Sequence, residues 1–315
     1  MRLATRGSPL ARRQASLVAS LLQTRHPGLI VDQVIVDTKG DQIGDVPLDR
    51  IGGQGVFVKE VQLAVMEDRA DAAVHSAKDL PTATPVELVV GAVPERADPR
   101  DALVGCSMAD LPPGAVIATG SARRRAQLAN WRPDLTFVEL RGNMATRLAR
   151  AGDGSVHAVV VAMAALERLE WTDRATEILS PTRLLPQVGQ GAIAAEYRRD
   201  RPEVGAMLDA VDHPTSHLAL DTERAFLAAL GGGCTAPVAG WAEVEAGGSI
   251  RIRGMVASPD GRVMVSTELS GDDPRSLGAA LAEQLLERCG GVSVAETLGW
   301  GASIDPAQSA ARHVP

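Results

Sequence analysis

Short apolar runs alternate with longer stretches of helical period through the first half of the chain. Leu3-Ala4-Thr5 reads as a strand, Ser8 to about Arg25 as a helix, Leu29 to Asp37 as a strand, Phe57 to about Glu67 as a helix, and Asp71 to His75 as a third strand. A second block repeats this alternation, with strands at Ala115 to Ala118, Thr136 to Leu140 and His157 to Ala162 and helices at Ser121 to Trp131 and Thr146 to Ala151. Strands separated by helices predict βαβ units and a mostly parallel sheet. The blocks also echo each other in detail. ATRGSPLARRQ (Ala4 to Gln14) and ATGSARRRAQ (Ala118 to Gln127) each end a strand in Ala-Thr, meet Gly-Ser and open an arginine-bearing helix. Two similar α/β lobes facing a cleft are the expected result.

Ala192 to Tyr197 reads as one more strand, and from His213 the texture changes. A helix from about Thr215 to Leu230, three strand-like runs (Val238 to Glu245, Ser249 to Ala257, Arg262 to Leu269) and a helix from about Arg275 to Cys289 predict a small α+β domain with an antiparallel sheet. Thr38 to Val56 has neither period, and a loop of that length in a compact domain is usually functional or mobile. The tail after Trp300 is polar and expected to fray.

Composition narrows the function. The chain has 315 residues, 45% of them hydrophobic, enough for two or three domains with real cores. Its start, MRLATRGSPLARRQ, lacks the apolar region of a secretion signal, and no run approaches the roughly 18 apolar residues of a membrane span, so a soluble, cytoplasmic protein is expected. Cys106, Cys234 and Cys289 are odd in number and scattered, which predicts reduced thiols and no zinc-thiolate site. A net charge of −7 argues against nucleic acid as a partner. Only Lys39, Lys59 and Lys78 are lysines, and all other basic residues are arginines. Clustered arginine on an acidic protein suits small carboxylate or phosphate ligands, because the planar fork pairs both oxygens.

Candidate chemistry collects where strands end. Ser8 before Pro9 and Ser121 before Ala122-Arg123 are helix caps, and each stands beside arginines (Arg6 on one side, Arg123 and Arg124 on the other), so each could be an anion site or simply a capped helix with solvated arginines. Arg141-Gly142-Asn143 follows a strand, with Arg147 one turn beyond Asn143. Arg168 could equally pair with Glu167 or Glu170 at the surface. AVHSAKDLP puts His75, Ser76, Lys78 and Asp79 at a strand's carboxyl end, either as a polar turn or as a site in which a lone carboxylate stabilises a developing cation while Ser76 and Lys78 bind carboxylates. GGGC ends a helix at Cys234, where the helix dipole gives a thiolate no help, so this cysteine is a small buried group or a thiol that reacts once and keeps its adduct.

In order along the chain, ATRGSPLA, GGQGVFVKE, AVHSAKDLP, ERADPRDALV, GSARRRAQL, RPDL, LRGN, TRL, VGQGA and GGGC resemble the porphobilinogen deaminase (hydroxymethylbilane synthase) family over about residues 1 to 300. The resemblance implies a transferase of tetrapyrrole, hence porphyrin and heme, biosynthesis that joins four porphobilinogen molecules head to tail, releasing ammonia each time, to give hydroxymethylbilane. It implies two periplasmic-binding-protein-like (type II) α/β lobes and a small C-terminal α+β domain, drawn here as residues 1–94 with 192–212, 95–191 and 213–315. It implies a dipyrromethane cofactor held covalently by Cys234 and bound by Ser76, Lys78, Ser121, Arg123, Arg124 and Arg147. By the same match Asp79 is catalytic, and Arg6, Ser8, Arg141, Arg168 and Gln190 bind substrate. The expected enzyme is a monomer without metal, nucleic acid or membrane. Gln54, where the family often has lysine, and Gly120, where it often has a second serine, depart from the pattern, and each could weaken one carboxylate contact. A solute-binding protein and the ligand-sensing domain of a regulator are the alternatives, disfavoured by the GGGC-bearing third domain and by the lack of a helix-turn-helix, respectively.

Overall fold

The computed structural model describes residues 1–38, 57–231 and 236–289. Gln54, Cys234, nearly all of the long loop and the tail therefore lie outside the described residues. In chain order the elements are β1 (Arg2–Arg6), α1 (Pro9–Arg25), β2 (Asp32–Val36), α2 (Lys59–Met66), β3 (Ala72–Ser76), β4 (Leu88–Ala92), β5 (Asp101–Gly105), β6 (Val116–Ala118), α3 (Ala122–Trp131), β7 (Thr136–Val138), α4 (Met144–Gly152), β8 (Ala158–Ala162), α5 (Met163–Arg168), β9 (Glu177–Ile178), β10 (Ile193–Arg198), α6 (Pro202–Asp209), α7 (Pro214–Ala229), β11 (Val238–Val244), β12 (Ile250–Ala257), β13 (Met264–Gly271) and α8 (Pro274–Arg288).

Among the described residues these strands form three sheets, ordered β2-β1-β3-β10-β4, β7-β6-β8-β5-β9 and β11-β12-β13. The first two have one design. The middle strand of the βαβ run pairs parallel with its neighbours on both sides. The first strand after each chain crossing then inserts antiparallel: β10 between β3 and β4, β5 between β8 and β9. This is the type II periplasmic-binding-protein-like architecture, twice, with an antiparallel α+β unit after it. Two chain crossings link the lobes, and they touch: Ala97 N–H donates to the Gly191 carbonyl at 3.2 Å. Only glycine fits there, since Gly191 has φ +86° and a Cβ would lie 2.5 Å from the Ala97 oxygen.

Local chemistry explains the elements. Ser8 caps α1 through Ala11 N–H with Pro9 in the first turn, and the helix buries Ala11, Ala15, Val18 and Leu22, one face at helical spacing. In the third sheet Phe226 of α7 lies against Gly240 and Gly254, where a Cβ would come within 2.9 Å of the ring, and Leu281 and Leu285 of α8 close the same core. No helix among the described residues is long and apolar enough to cross a membrane.

Three departures from the sequence pattern matter. The expected Leu29 to Asp37 strand pairs only over Asp32–Val36, and the expected Thr146 helix begins at Met144 because Asn143 caps it, accepting from Thr146 N–H at 3.0 Å. β4, β5, β9, α5 and α6 carried no clear period. β5 starts on a fully buried charge, Asp101, which hides the strand from any pattern of apolar positions.

Candidate functional site

At the end of β3 the chain makes a single 3-10 turn, Ala77–Asp79, closed by Leu80 N–H on the Ala77 carbonyl (3.2 Å) and stopped by Pro81. Neighbours fix this turn. Gln14 Nε2 donates to Ser76 Oγ at 2.7 Å, and Ala77 N–H donates to the Ala192 carbonyl at 3.0 Å. Gly189, at φ +72°, presses on it so closely that a Cβ would lie 2.8 Å from Lys78 N. The VGQGA segment thus packs backbone to backbone on the turn that carries Lys78 and Asp79. Burial pushes the Lys78 ammonium down to about 8, with Arg124 and Arg147 adding to the shift and Asp79 and Asp101 opposing it. Asp79 is half-buried, and no hydrogen bond ties its carboxylate among the described residues.

The second sheet brings cations to the same place. Ser121 caps α3 through Arg124 N–H, and Arg123 and Arg124 in its first turn converge on Asp101, at 2.8 and 2.6 Å. Burial would raise the Asp101 carboxyl, but the two guanidiniums hold it down at about 2. Arg123 also donates to the Leu185 carbonyl (2.6 Å) and Arg124 to that of Val160 (2.8 Å). Gln190 Nε2 joins the cluster, 2.9 Å from Asp101 and 2.7 Å from the Pro99 carbonyl, while its Oε1 is buried without a partner among the described residues. Arg147 folds back on Gly142, donating to that carbonyl at 2.9 Å. Its guanidinium is lowered by burial and by Arg124 and Arg141, and supported by Asp79 and Glu139. A cavity lined by Ala77, Lys78, Ser121, Arg123, Gln187 and Arg224 opens where the three units meet. Leu227 and Ala236, which flank the segment holding Cys234, stand on its wall.

Other expected site residues are spent partly on structure. Arg6 lies over the Phe57 ring, 4.2 Å from its centre, and Ser8 caps α1. Arg168 donates to the Gly191 carbonyl at 2.6 Å and is pushed down to about 10 by burial, while its own carbonyl accepts from Arg13, which also pairs with Glu170. Arg141 is 3.0 Å from Glu139.

Several groups escaped the sequence reading. Arg96 pairs with the buried Glu223 at 2.6 Å and donates to the Gln190 carbonyl at 2.8 Å, while Glu223 accepts from Gly189 N–H and Ala242 N–H, tying both crossings to α7 and β11. Behind the turn, His75 Nε2 lies 3.1 Å from Glu196, which also accepts from Gln62 at 2.8 Å. Of the three buried carboxylates only Glu196 carried a signal that was available, a carboxylate following the apolar run Ala192 to Ala195; Asp101 merely opens its apolar run, and Glu223 stands in the polar stretch Asp221 to Arg224.

Comparisons with known proteins follow this division. A family model described as "Porphobilinogen deaminase, dipyromethane cofactor binding domain" matches residues 1–206, and one described as "Porphobilinogen deaminase, C-terminal domain" matches residues 218–287. A porphobilinogen deaminase of Nitratidesulfovibrio vulgaris is 40% identical over 96% of this chain and 98% of its own length. One from Roseiflexus sp. RS-1 is 46% identical over 91% and 96%, respectively. Among solved structures, a probable amino-acid ABC transporter extracellular-binding protein from Bacillus subtilis aligns with a TM-score of 0.40 and 8% identity, covering 67% of this chain and 89% of that one.

Proposed function

We infer the working of the site from one premise: the chain belongs to the porphobilinogen deaminase family. It is a transferase of tetrapyrrole biosynthesis that condenses porphobilinogen on a dipyrromethane cofactor. The donor set fits that cofactor. Its pyrroles carry acetate and propionate groups, and beyond burial Lys78 is lowered by Arg124 and Arg147, and Arg147 by Arg124 and Arg141, so the site is short of anions. The bound dipyrromethane supplies a nucleophilic pyrrole carbon from which the chain grows.

Cys234 holds the cofactor through a thioether, and Ser76, Lys78, Ser121, Arg123, Arg124 and Arg147 receive its carboxylates. Arg123 and Arg124 do so while anchored on Asp101, so they act as fixed charges and not as mobile arms. Arg6, Ser8, Arg141, Arg168 and Gln190 position the incoming porphobilinogen. Asp79 is the catalytic group: loss of ammonia leaves positive charge near the pyrrole nitrogen, and a carboxylate facing that nitrogen stabilises it and relays protons between steps. The observation that carries this assignment is the turn itself. It holds one carboxylate, untied among the described residues, on a backbone locked by Gly189 and Ala192, facing an excess of guanidiniums.

The residue ranges 1–94 with 192–212, 95–191 and 213–315 serve as the units that carry the aspartate, the arginines and the cysteine, in line with the three sheets. The enzyme acts in the cytoplasm as a monomer on a small molecule, without nucleic acid, membrane or metal, which its net charge of −7 favours as regards nucleic acid.

The test is intact mass of the denatured protein beside Cys234→Ser. Wild type should carry two linked pyrrole units that the variant lacks. An excess in both would move the anchor to another residue, and failure of the apoprotein to load with porphobilinogen would overturn the reading.

A further inference from the structure

Arg141 already has a carboxylate. Its Nη2 lies 3.0 Å from Glu139 Oε1, the two side chains being 25% and 43% exposed. Arg125 of α3 approaches the other oxygen of Glu139 at 3.7 Å, and Arg125 Nε is buried without a hydrogen-bond partner among the described residues. Glu139 also supports the charge of Arg147, alongside Asp79. It is therefore a second carboxylate acting on the same arginine cluster, and it comes from the protein itself.

Space for it comes from Gly120. A Cβ at that position would lie 2.8 Å from Glu139 Oε1 and 3.0 Å from the Leu140 carbonyl oxygen. The carbonyl is backbone and can give little, whereas Glu139 is the end of a flexible, half-exposed side chain. Any side chain at 120 therefore displaces the carboxylate first. The Gly120 departure and the Glu139 contact are thus one feature: a missing hydroxyl on one side and an extra carboxylate on the other.

We propose that Glu139 is the resting counter-anion of Arg141, displaced when the acetate or propionate of an incoming porphobilinogen reaches that arginine, and that Gly120 lets it sit there. Binding at this arginine is then an exchange of carboxylates, which sets the substrate concentration the enzyme responds to. Glu139 is a positioning residue, acting through Arg141. The proposal rests on Arg141 being a substrate contact, as read above.

A half-exposed ion pair is worth little, so removing the competitor should tighten binding by only about two- to fivefold. Because the chemistry at Asp79 is untouched, the gain belongs in KM and not in kcat. Glu139→Gln keeps the volume and removes the charge, while Gly120→Ser keeps the charge and evicts it, and both should lower KM for porphobilinogen by about that factor with kcat unchanged. Intact-mass titration should show the first substrate adduct half-formed at a correspondingly lower porphobilinogen concentration. In an Arg141→Gln background, Glu139→Gln should lose most of its effect on KM, leaving only what it does through Arg147. An unchanged or raised KM in Glu139→Gln, with Arg141→Gln raising it, overturns this proposal alone. An Arg141→Gln enzyme with wild-type KM overturns the substrate reading of Arg141 and the proposal with it. Should Gly120→Ser fail to fold, Glu139→Gln decides.

Discussion

The two α/β sheets share one strand order but bury different charges behind their site-facing loops. In the first, the carboxylate of Glu196 meets an imidazole and an amide, His75 at 3.1 Å and Gln62 at 2.8 Å, directly behind the turn that presents Asp79. In the second, Asp101 is wholly buried between two guanidiniums. One carboxylate against two arginines leaves a surplus positive charge at the start of α3. The first lobe thus shows the site a carboxylate, and the second shows it fixed cations. A duplicated fold becomes asymmetric through a few charges placed at different registers of its inserted strand, Glu196 opposite Ala73 and Asp101 opposite Ala162.

The largest effect should come from the second lobe. Asp101→Asn strands two buried guanidiniums, and breaking such a cluster costs about 3–5 kcal/mol. Urea unfolding should register that loss, with activity falling too. The same contribution is visible by titration. Asp101 is held at about 2, below its ordinary value, so the stability it gives is complete above the usual carboxylate range and declines as pH falls toward 2. An unchanged urea midpoint in Asp101→Asn would remove the second lobe's distinguishing feature.

Asp79→Asn should behave in the opposite way. The carboxylate is half-buried and untied among the described residues, so stability should hold while kcat falls about 10²- to 10³-fold, the range for losing a preorganised electrostatic group. Parallel loss of stability and turnover would mean that Asp79 belongs to the scaffold. A smaller effect is expected at Glu196→Gln, which keeps the contact with Gln62 and loses the charge facing His75, at about 1–3 kcal/mol. Burial raises the Glu196 carboxyl, but His75 and Gln62 outweigh it and leave the group low, so wild-type stability drops as pH falls through the acid range. The variant should lack part of that drop, while its kcat changes less than that of Asp79→Asn.

How much of this was legible depends on distance along the chain. The run AAVHS ending in Ala-Lys-Asp announced a strand with a polar exit, and Ser8-Pro9 announced α1, because strand period and capping are local. The scaffolding of the site is not local. Asp101 and Arg124 meet only when the second sheet is built, His75 and Glu196 and Arg96 and Glu223 only once the crossings are, and the second crossing leads into β10, whose Glu196 looks like a flaw in an apolar strand. Arg123 and Arg124 were legible as anion-seeking residues from their position at a helix start, but not as arginines already half-satisfied by Asp101. Glu139 was invisible for the same reason, since its meaning depends on a glycine one strand away.

Lys78 offers the smallest effect and the finest test of how the lobes divide the work. It is a cation on the carboxylate-bearing lobe, and burial has pushed it down to about 8. In the free protein it therefore sheds its proton as pH rises through 8, whereas the unfolded chain keeps that proton until near the ordinary lysine value. The folded state binds fewer protons across this window, so stability should rise with pH there. Affinity should move the other way, because a neutral amine no longer attracts a carboxylate. Half-loading of the apoprotein by porphobilinogen, followed by intact mass, should need about two- to threefold more substrate at pH 9 than at pH 7.5. Lys78→Arg stays charged throughout and should flatten that dependence. If wild type is also flat, Lys78 takes no part in recognising the carboxylates, which then falls to the guanidiniums and hydroxyls of the site.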